Sequence, residues 1–295
     1  MTPTKPLTFL ITGTSSGLGL SLARLVLQSG HNLIATSRNP SKNPNLVAEI
    51  ESFSSPARGR WLPLDVDHPT AGPDLIDSLE NAGTHIDVLV NNAGFSIHSP
   101  AETLTDGELR EMMETLYFGP TRLIRAVLPY MRARNNGVVV NISSGAGLEG
   151  RETMGGYAAA KAALDGFTKV LGTEIAPFGI RVLTVQLGTF QTNMGNAARI
   201  GATPLPEDYQ GDHEVTQFFN GFFDGKFQPD GDGDKAMKAL YEVVVGEGVG
   251  KGKEAERMLP LGREIPARIK LVTDGYQRAL DAFGDICNNV YQDGR

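Results

Sequence analysis

The chain has 295 residues, of which 40% are apolar and 21% charged, and it carries a net charge of −7. That is ordinary globular composition at a length that supports a sizeable core, and the acidic balance argues against nucleic acid, whose phosphates need a basic face. No apolar run approaches the ~20 residues needed to cross a bilayer. A single cysteine, Cys287, leaves no internal disulfide and fits a reducing compartment. Residues 1–6 lack the charged-then-apolar order of a secretory leader, and the final Gln-Asp-Gly-Arg is no retention or peroxisomal signal. These features give a cytoplasmic expectation. Asn141-Ile142-Ser143 spells a glycosylation acceptor, but it ends an apolar run and is read as strand.

Along the chain, short apolar runs alternate with helical patterns. The runs are 7–12, 32–37, 60–66, 86–94, 137–144 and 180–188. Helices are expected near 18–30, 46–53, 74–82, 106–134, 157–175, 234–245 and 264–283. The runs are continuous in Val, Ile and Leu rather than alternating, as in strands covered on both faces. Strand–helix alternation of this kind predicts an α/β fold, a doubly wound parallel sheet with helices on both faces. Thr105-Asp106-Gly107-Glu108 spells a capping box for the long helix, and Gly30 and Asn135 mark helix ends. No linker separates a second domain. Residues 189–235 are read as a lid and 236–295 as C-terminal helices of the same unit.

The first run ends in Thr12-Gly13-Thr14-Ser15-Ser16-Gly17-Leu18-Gly19, and a helix starts at once. Glycines there permit a tight turn, and the free N–H groups of the helix end suit a pyrophosphate. The second run ends Thr36-Ser37-Arg38 without the carboxylate that binds an adenosine ribose. Arg38, helped by Ser15, suits a 2′-phosphate, so the reading is NADP(H) rather than NAD(H).

Tyr157 and Lys161 stand four apart on one helix face, with alanines between them. A nearby ammonium is expected to lower the phenol pKa and make Tyr157 a general acid. Ser144, at the end of the fifth run, is placed to polarise a substrate carbonyl. Strand alternation lets only one of Ser143 and Ser144 face the cleft.

In these motifs the sequence resembles the short-chain dehydrogenase/reductase family over roughly residues 7–195. The quoted segments are Thr12–Gly19, Asn91-Asn92-Ala93-Gly94, Ser144 with Tyr157 and Lys161, and Leu187-Gly188 with Thr192. The resemblance implies a cofactor site built from Gly13, Ser15, Ser16, Gly17, Leu18, Gly19, Arg38, Asp65, Val66, Asn91, Ala93, Gly94, Gly188 and Thr192. Within it Asp65 contacts adenine, Asn91 holds the turn, Lys161 anchors the nicotinamide ribose and Thr192 meets its amide. The resemblance selects Ser144 over Ser143 and implies a homodimer or homotetramer.

Two positions depart from the family. Leu116 stands where many members carry an asparagine that supports proton resupply. Leu187 replaces a proline, which frees the backbone and is expected to loosen the start of the lid.

Phe218, Phe219, Phe222 and Phe223 recur at helical spacing and either line the cleft for a bulky apolar ketone or pack the lid onto the sheet. The family resemblance implies that Phe95, Ile97, Met154 and Phe190 lie near the same cleft. His98 is read as a loop residue, and no metal-ligand spacing is present. The expectation is an NADPH-dependent ketone reductase acting on a small molecule. The competing readings are an isomerase or cyclase that uses the same groups, and a nucleotide-binding regulatory protein.

Overall fold

In a computed structural model, residues 5–54, 58–191, 198–211, 213–224 and 228–291 are described. The apolar runs form the strands of a seven-stranded sheet, β1 (Thr8–Thr12), β2 (Asn32–Ser37), β3 (Gly59–Pro63), β4 (Val88–Asn91), β6 (Gly137–Ser144), β7 (Ile180–Leu187) and β9 (Met258–Leu261). Its order is β3-β2-β1-β4-β6-β7-β9, and every neighbouring pair is parallel. A parallel neighbour requires a crossover, and helices α1 (Gly17–Gln28), α2 (Pro44–Glu51), α3 (Ala71–Asn81), α4 (Asp106–Met113), α5 (Gly119–Arg134) and α6 (Gly155–Ile175) supply it.

The two faces of β1 show why the runs are continuously apolar. Phe9 and Ile11 join one core with α1 and the later helix α8 (Gly233–Val245), while Leu10 joins the other with α3, α5 and α6. Every residue of β1 and β4 is buried. The edges differ. β3 alternates buried and exposed and ends in Pro63, and β9 is half exposed and contains Pro260. Proline, which cannot donate to a ladder, is tolerated at such edges. The third strand therefore stops at Pro63 rather than running to 66, and β9 is a seventh strand that apolar runs did not announce. A second, two-stranded parallel sheet joins β5 (Ser96–His98) to β8 (Ala198–Ile200).

The long helix starts as its sequence dictates. Thr105 accepts from the Glu108 N–H at 3.2 Å, and the Glu108 carboxylate accepts from the Thr105 N–H at 2.9 Å. It is interrupted by a π turn at Glu114–Phe118 before α5 continues to a left-handed Asn135. The inward positions Met112, Leu116, Pro120, Ile124, Val127 and Met131 step mostly by four, more than the ~3.6 residues of an ideal turn. The wide turn absorbs that excess.

Two glycines shape the first turn. Gly13 has φ +71°, and a Cβ there would lie 2.8 Å from the Ala93 Cα. A Cβ on Gly19 would lie 2.4 Å from both the Gly13 carbonyl oxygen and Asn92 Nδ2. Gly19 thus serves the close packing of α1 rather than the approach of a ligand. Gly19→Ala is expected to cost about 1–3 kcal/mol through this overpacking, read as a lowered Tm in thermal unfolding; an unchanged Tm would show that the turn relaxes freely.

Candidate active site

The strand order reverses between β1 and β4, and a cleft of about 1070 Å³ opens at the carboxyl ends of the strands there. Such a switch point is the usual ligand crevice of an open parallel sheet. Hydrogen bonds fix its floor. Thr12 Oγ1 accepts from the Asn92 and Ala93 N–H groups, both at 3.0 Å, and Asn92 Nδ2 donates to the Thr12 and Gly13 carbonyls at 2.8 and 3.1 Å. Thr14 is wholly buried and bonds the Thr36 carbonyl through its N–H and its hydroxyl. Gly13, Ser15, Ser16, Gly17, Leu18 and Gly19 consequently form one wall.

Ser16 is the N-cap of α1, yet its side chain caps nothing. The amides at that helix end keep their hydrogen-bonding capacity for an anion. Arg38, exposed at the end of β2, and Asp65 and Val66 after β3 line the far end. Asp67 lies between, with burial pushing its carboxyl up while Thr115 donates to it at 2.7 Å and Arg38 attracts it. Glycine turn, open helix end and cation together fit an extended dinucleotide phosphate.

The other end of the cleft is built from β6 and α6. Ser144 ends β6, Tyr157 sits in the first turn of α6, and both line the cleft, near enough for the Ser144 hydroxyl to act on the phenol. Ser144 Oγ also accepts from the Ala146 N–H at 3.2 Å. Tyr157 is 7% exposed and Lys161 5%. Lys161 does not reach for the phenol oxygen. Its Nζ donates to the Ile142 carbonyl at 2.6 Å and lies 5.8 Å from the Tyr157 ring centre. Burial therefore outweighs the ammonium. It pushes the Tyr157 phenol up to about 12, only partly opposed by Ser144, and the Lys161 ammonium down to about 8, partly opposed by Asp165. The lowered phenol pKa expected from the i, i+4 spacing is corrected accordingly.

Behind the pair lies Asp165, one turn after Lys161 and 6% exposed. Gln186 Nε2 donates to it at 2.6 Å. Burial pushes its carboxyl up, while the Gln186 hydrogen bond and the charge of Lys161 pull it down. The i+4 spacing from Lys161 was the available sequence signal for this residue. Ser143, 2% exposed, belongs to the Asp165 side of β6.

Other expectations shift. Asn91 is buried and donates to Asn141 at 2.8 Å, so it is Asn92 that holds the turn. Neighbouring strand residues point to opposite faces. Ala93, Gly94 and Gly188 line the cleft as expected. Thr192 lies outside the described residues. Leu187 does not loosen the lid. It is a buried strand residue in register with Leu261, and the next two residues are tied as well. The Gly188 N–H bonds the Leu261 carbonyl at 2.7 Å, and Thr189 is held by the Glu264 carboxylate through its N–H and hydroxyl at 2.5 and 2.7 Å.

His98 is a strand residue, 1% exposed, and burial pushes its pKa down to about 4, leaving a neutral ring. The lid helix α7 (Glu214–Phe223) closes over it, with the Phe218, Phe222 and Phe223 rings 5.6, 4.9 and 5.7 Å from the imidazole. Phe218 and Phe222 both pack on His98 and line the cleft with Phe95 and Met154.

The family model for short chain dehydrogenases matches residues 7–202. The chain belongs to the short-chain dehydrogenase family. Its similarity to curated members includes the oxidoreductase claN of Passalora fulva, 40% identical over 191 residues, 64% of this chain and 85% of that protein. It also includes the 3-ketodihydrosphingosine reductase of Bacteroides thetaiotaomicron, 36% identical over 206 residues, 70% and 72% of the two chains. Among solved structures, a short-chain dehydrogenase from Streptomyces avermitilis superposes with TM-score 0.85 at 31% identity, covering 98% of this chain and all of that one. A metagenomic short-chain oxidoreductase in complex with NADP superposes with TM-score 0.58 at 28% identity, covering 63% and 83%.

The π turn places Leu116, 1% exposed, against Gly94 and among Ile97, Met112, Ala146 and Tyr157. Leu116 therefore makes an apolar contact at the position where the resemblance implied an asparagine. Leu116→Asn is expected to leave that amide buried among apolar side chains and to cost about 2–4 kcal/mol of stability, measured by denaturant unfolding. If stability held and kcat rose, the pocket would have a polar partner ready for the amide.

Proposed function

We propose that this family member is an NADPH-dependent reductase that converts a bulky apolar ketone to an alcohol. The observation that carries the reading is the placement of Ser144, Tyr157 and Lys161 in the same cleft as the glycine turn and Arg38. Support comes from the relative named for reduction of a 3-keto substrate and from the solved member in complex with NADP.

In this reading Arg38 and Ser15 take the 2′-phosphate, and no acid at the end of β2 repels it. The α1 amides take the pyrophosphate, Asp65 and Val66 flank the adenine, and Lys161 binds the ribose hydroxyls. When bound, NADPH supplies the hydride for the carbonyl carbon. Ser144 holds the carbonyl oxygen by a hydrogen bond. Tyr157 gives that oxygen its proton, so carbonyl, hydride and proton sum to an alcohol and leave a phenolate to be reprotonated. A phenol whose pKa is pushed up to about 12 stays protonated at neutral pH, which is the state that reduction needs. Phe95, Met154, Phe218 and Phe222 with the neutral His98 give the substrate end an aromatic wall suited to a bulky apolar body.

Following NADPH absorbance against a ketone panel tests the reading. No consumption with any ketone, together with NADPH binding, would favour a scaffold role in isomerisation, cyclisation or regulation. Tyr157→Phe is expected to lower turnover by roughly 10²–10⁴-fold with NADPH affinity nearly unchanged; a variant that keeps most of its activity removes the assignment. Arg38→Asp should weaken NADPH binding by at least about tenfold while sparing NADH, because a 2′-phosphate then meets a carboxylate. Equal effects on both cofactors would argue against Arg38 as the selector.

The pH dependence follows from Lys161, cationic below about 8 and neutral above it, while Tyr157 stays protonated throughout. Reductive kcat/KM should therefore fall as pH rises past about 8. Asp165→Asn removes a charge that favours the ammonium, so this alkaline limb should move to lower pH. A limb that stays in place would uncouple Asp165 from Lys161.

A further inference from the structure

The chain carries a net charge of −7, yet the end of its cleft away from Arg38 is basic. Arg151, Arg199 and Arg268 line that end, facing one acid, Glu111, among the described residues. Two of these cations are already neutralised. Arg199 pairs Glu111, and Arg268, on the last helix α9 (Ile265–Asn288), pairs Glu149 at 3.1 Å. The Arg151 side chain makes no ion pair or hydrogen bond among the described residues. Its charge is felt in the wall of the cleft. His98 stays neutral chiefly through burial, and next through the positive charge of Arg151. Phe218 and Phe222 pack on that imidazole, so Arg151 stands beside the aromatic wall.

The turn that carries Arg151 is firmly held. Thr153 is buried and left-handed at φ +65°, an unusual conformation for a β-branched residue. Its carbonyl accepts from the Ser99 N–H at 2.9 Å, and its hydroxyl lies 3.3 Å from His98 Nδ1. The Met154 N–H closes the turn on the Arg151 carbonyl at 3.3 Å. Backbone strain of this kind persists only where the surroundings over-determine it, and it concentrates at ligand clamps. Here it fixes the Arg151 backbone against His98 and Met154 of the wall.

A half-buried guanidinium without a partner has its donor fork to give. One free fork matches one carboxylate through two parallel N–H···O bonds. A phosphate draws on a cluster of cations, and Arg199 and Arg268 are already committed. The apolar side chains around the fork lower the local dielectric and strengthen its pull on an anion.

We propose that Arg151 is the specificity-determining residue for a carboxylate on the substrate. The substrate is then an apolar keto acid, its ketone at Tyr157 and its carboxylate at Arg151. This rests on the reading of the cleft as a ketone reductase site.

A series of ω-benzoylalkanoates of increasing chain length, each set against its own methyl ester, tests this on the full chain with NADPH. At the matching length the acid is expected to be favoured in kcat/KM by at least about tenfold, mostly through KM, because acid and ester differ by one charge-assisted pair. Arg151→Gln should bring the acid-to-ester ratio to near parity. Should that variant fail to fold, Arg151→Met, which keeps the apolar stem, carries the same expectation. Calorimetric titration of the NADP-loaded protein with the same compounds reads the subsite apart from turnover. If no compound consumes NADPH while acids still bind in preference to esters, and Arg151→Gln abolishes that preference, the reductase reading falls and the carboxylate subsite stands. Esters bound and reduced as well as their acids, or a preference that survives Arg151→Gln, would overturn the subsite and leave the reductase reading intact. Failure of every acid to bind would overturn it as well.

Discussion

The clamp between β1 and β4 governs the molecule. These strands diverge in connectivity, one side of the sheet being wound from β1 outward and the other from β4. Thr12 and Asn92 tie their carboxyl ends by four hydrogen bonds at 2.8 to 3.1 Å. That holds Gly13 in its left-handed conformation against Ala93 and aims the amino end of α1 at the crevice. The crevice then has one wall of backbone amides and one of side chains from β6 and α6. The two walls face each other across one gap.

On the proton side the fold sets burial against charge. Tyr157 and Lys161 sit in a wall that also holds Ala146, Ala160 and Leu116. An ammonium in such surroundings is costly unless it is hydrogen-bonded. The Ile142 carbonyl and the nearby Asp165 carboxylate meet part of that cost. Asp165 in turn leans on Gln186 of β7, so two adjacent strands and one helix hold a single charge in place. The depressed lysine and elevated phenol are two consequences of the same dry wall.

Much of this was legible in the sequence. Continuous Val, Ile and Leu runs gave the inner strands, because a strand covered on both faces has no polar side to show. The Tyr157–Lys161 spacing and the position of Ser144 pointed to one cleft, and all three residues line it. Three things were hidden for physical reasons. β9 is an edge strand containing Pro260, with too little apolar pattern to be read as strand. Asn91 and Asn92 have the same chemistry, and only the strand's orientation decides which meets the turn. The phenol pKa follows the i, i+4 ammonium on an open helix, but in the folded chain it follows burial, and that depends on α4 and the π turn packing over α6.

That π turn at Glu114–Phe118 amounts to one residue more than an α-helix of the same span would hold. Its consequence is a phase relation. α4 faces the small sheet and α6, whereas α5 must present Leu123, Val127 and Met131 to the central core. A regular helix would deliver one of these faces about 100° out of phase with the other. The segment therefore has a fixed length. Removing a residue from it would rotate α5 out of its groove or carry Leu116 off the cleft wall, whereas a side-chain exchange at the same place leaves that phase intact.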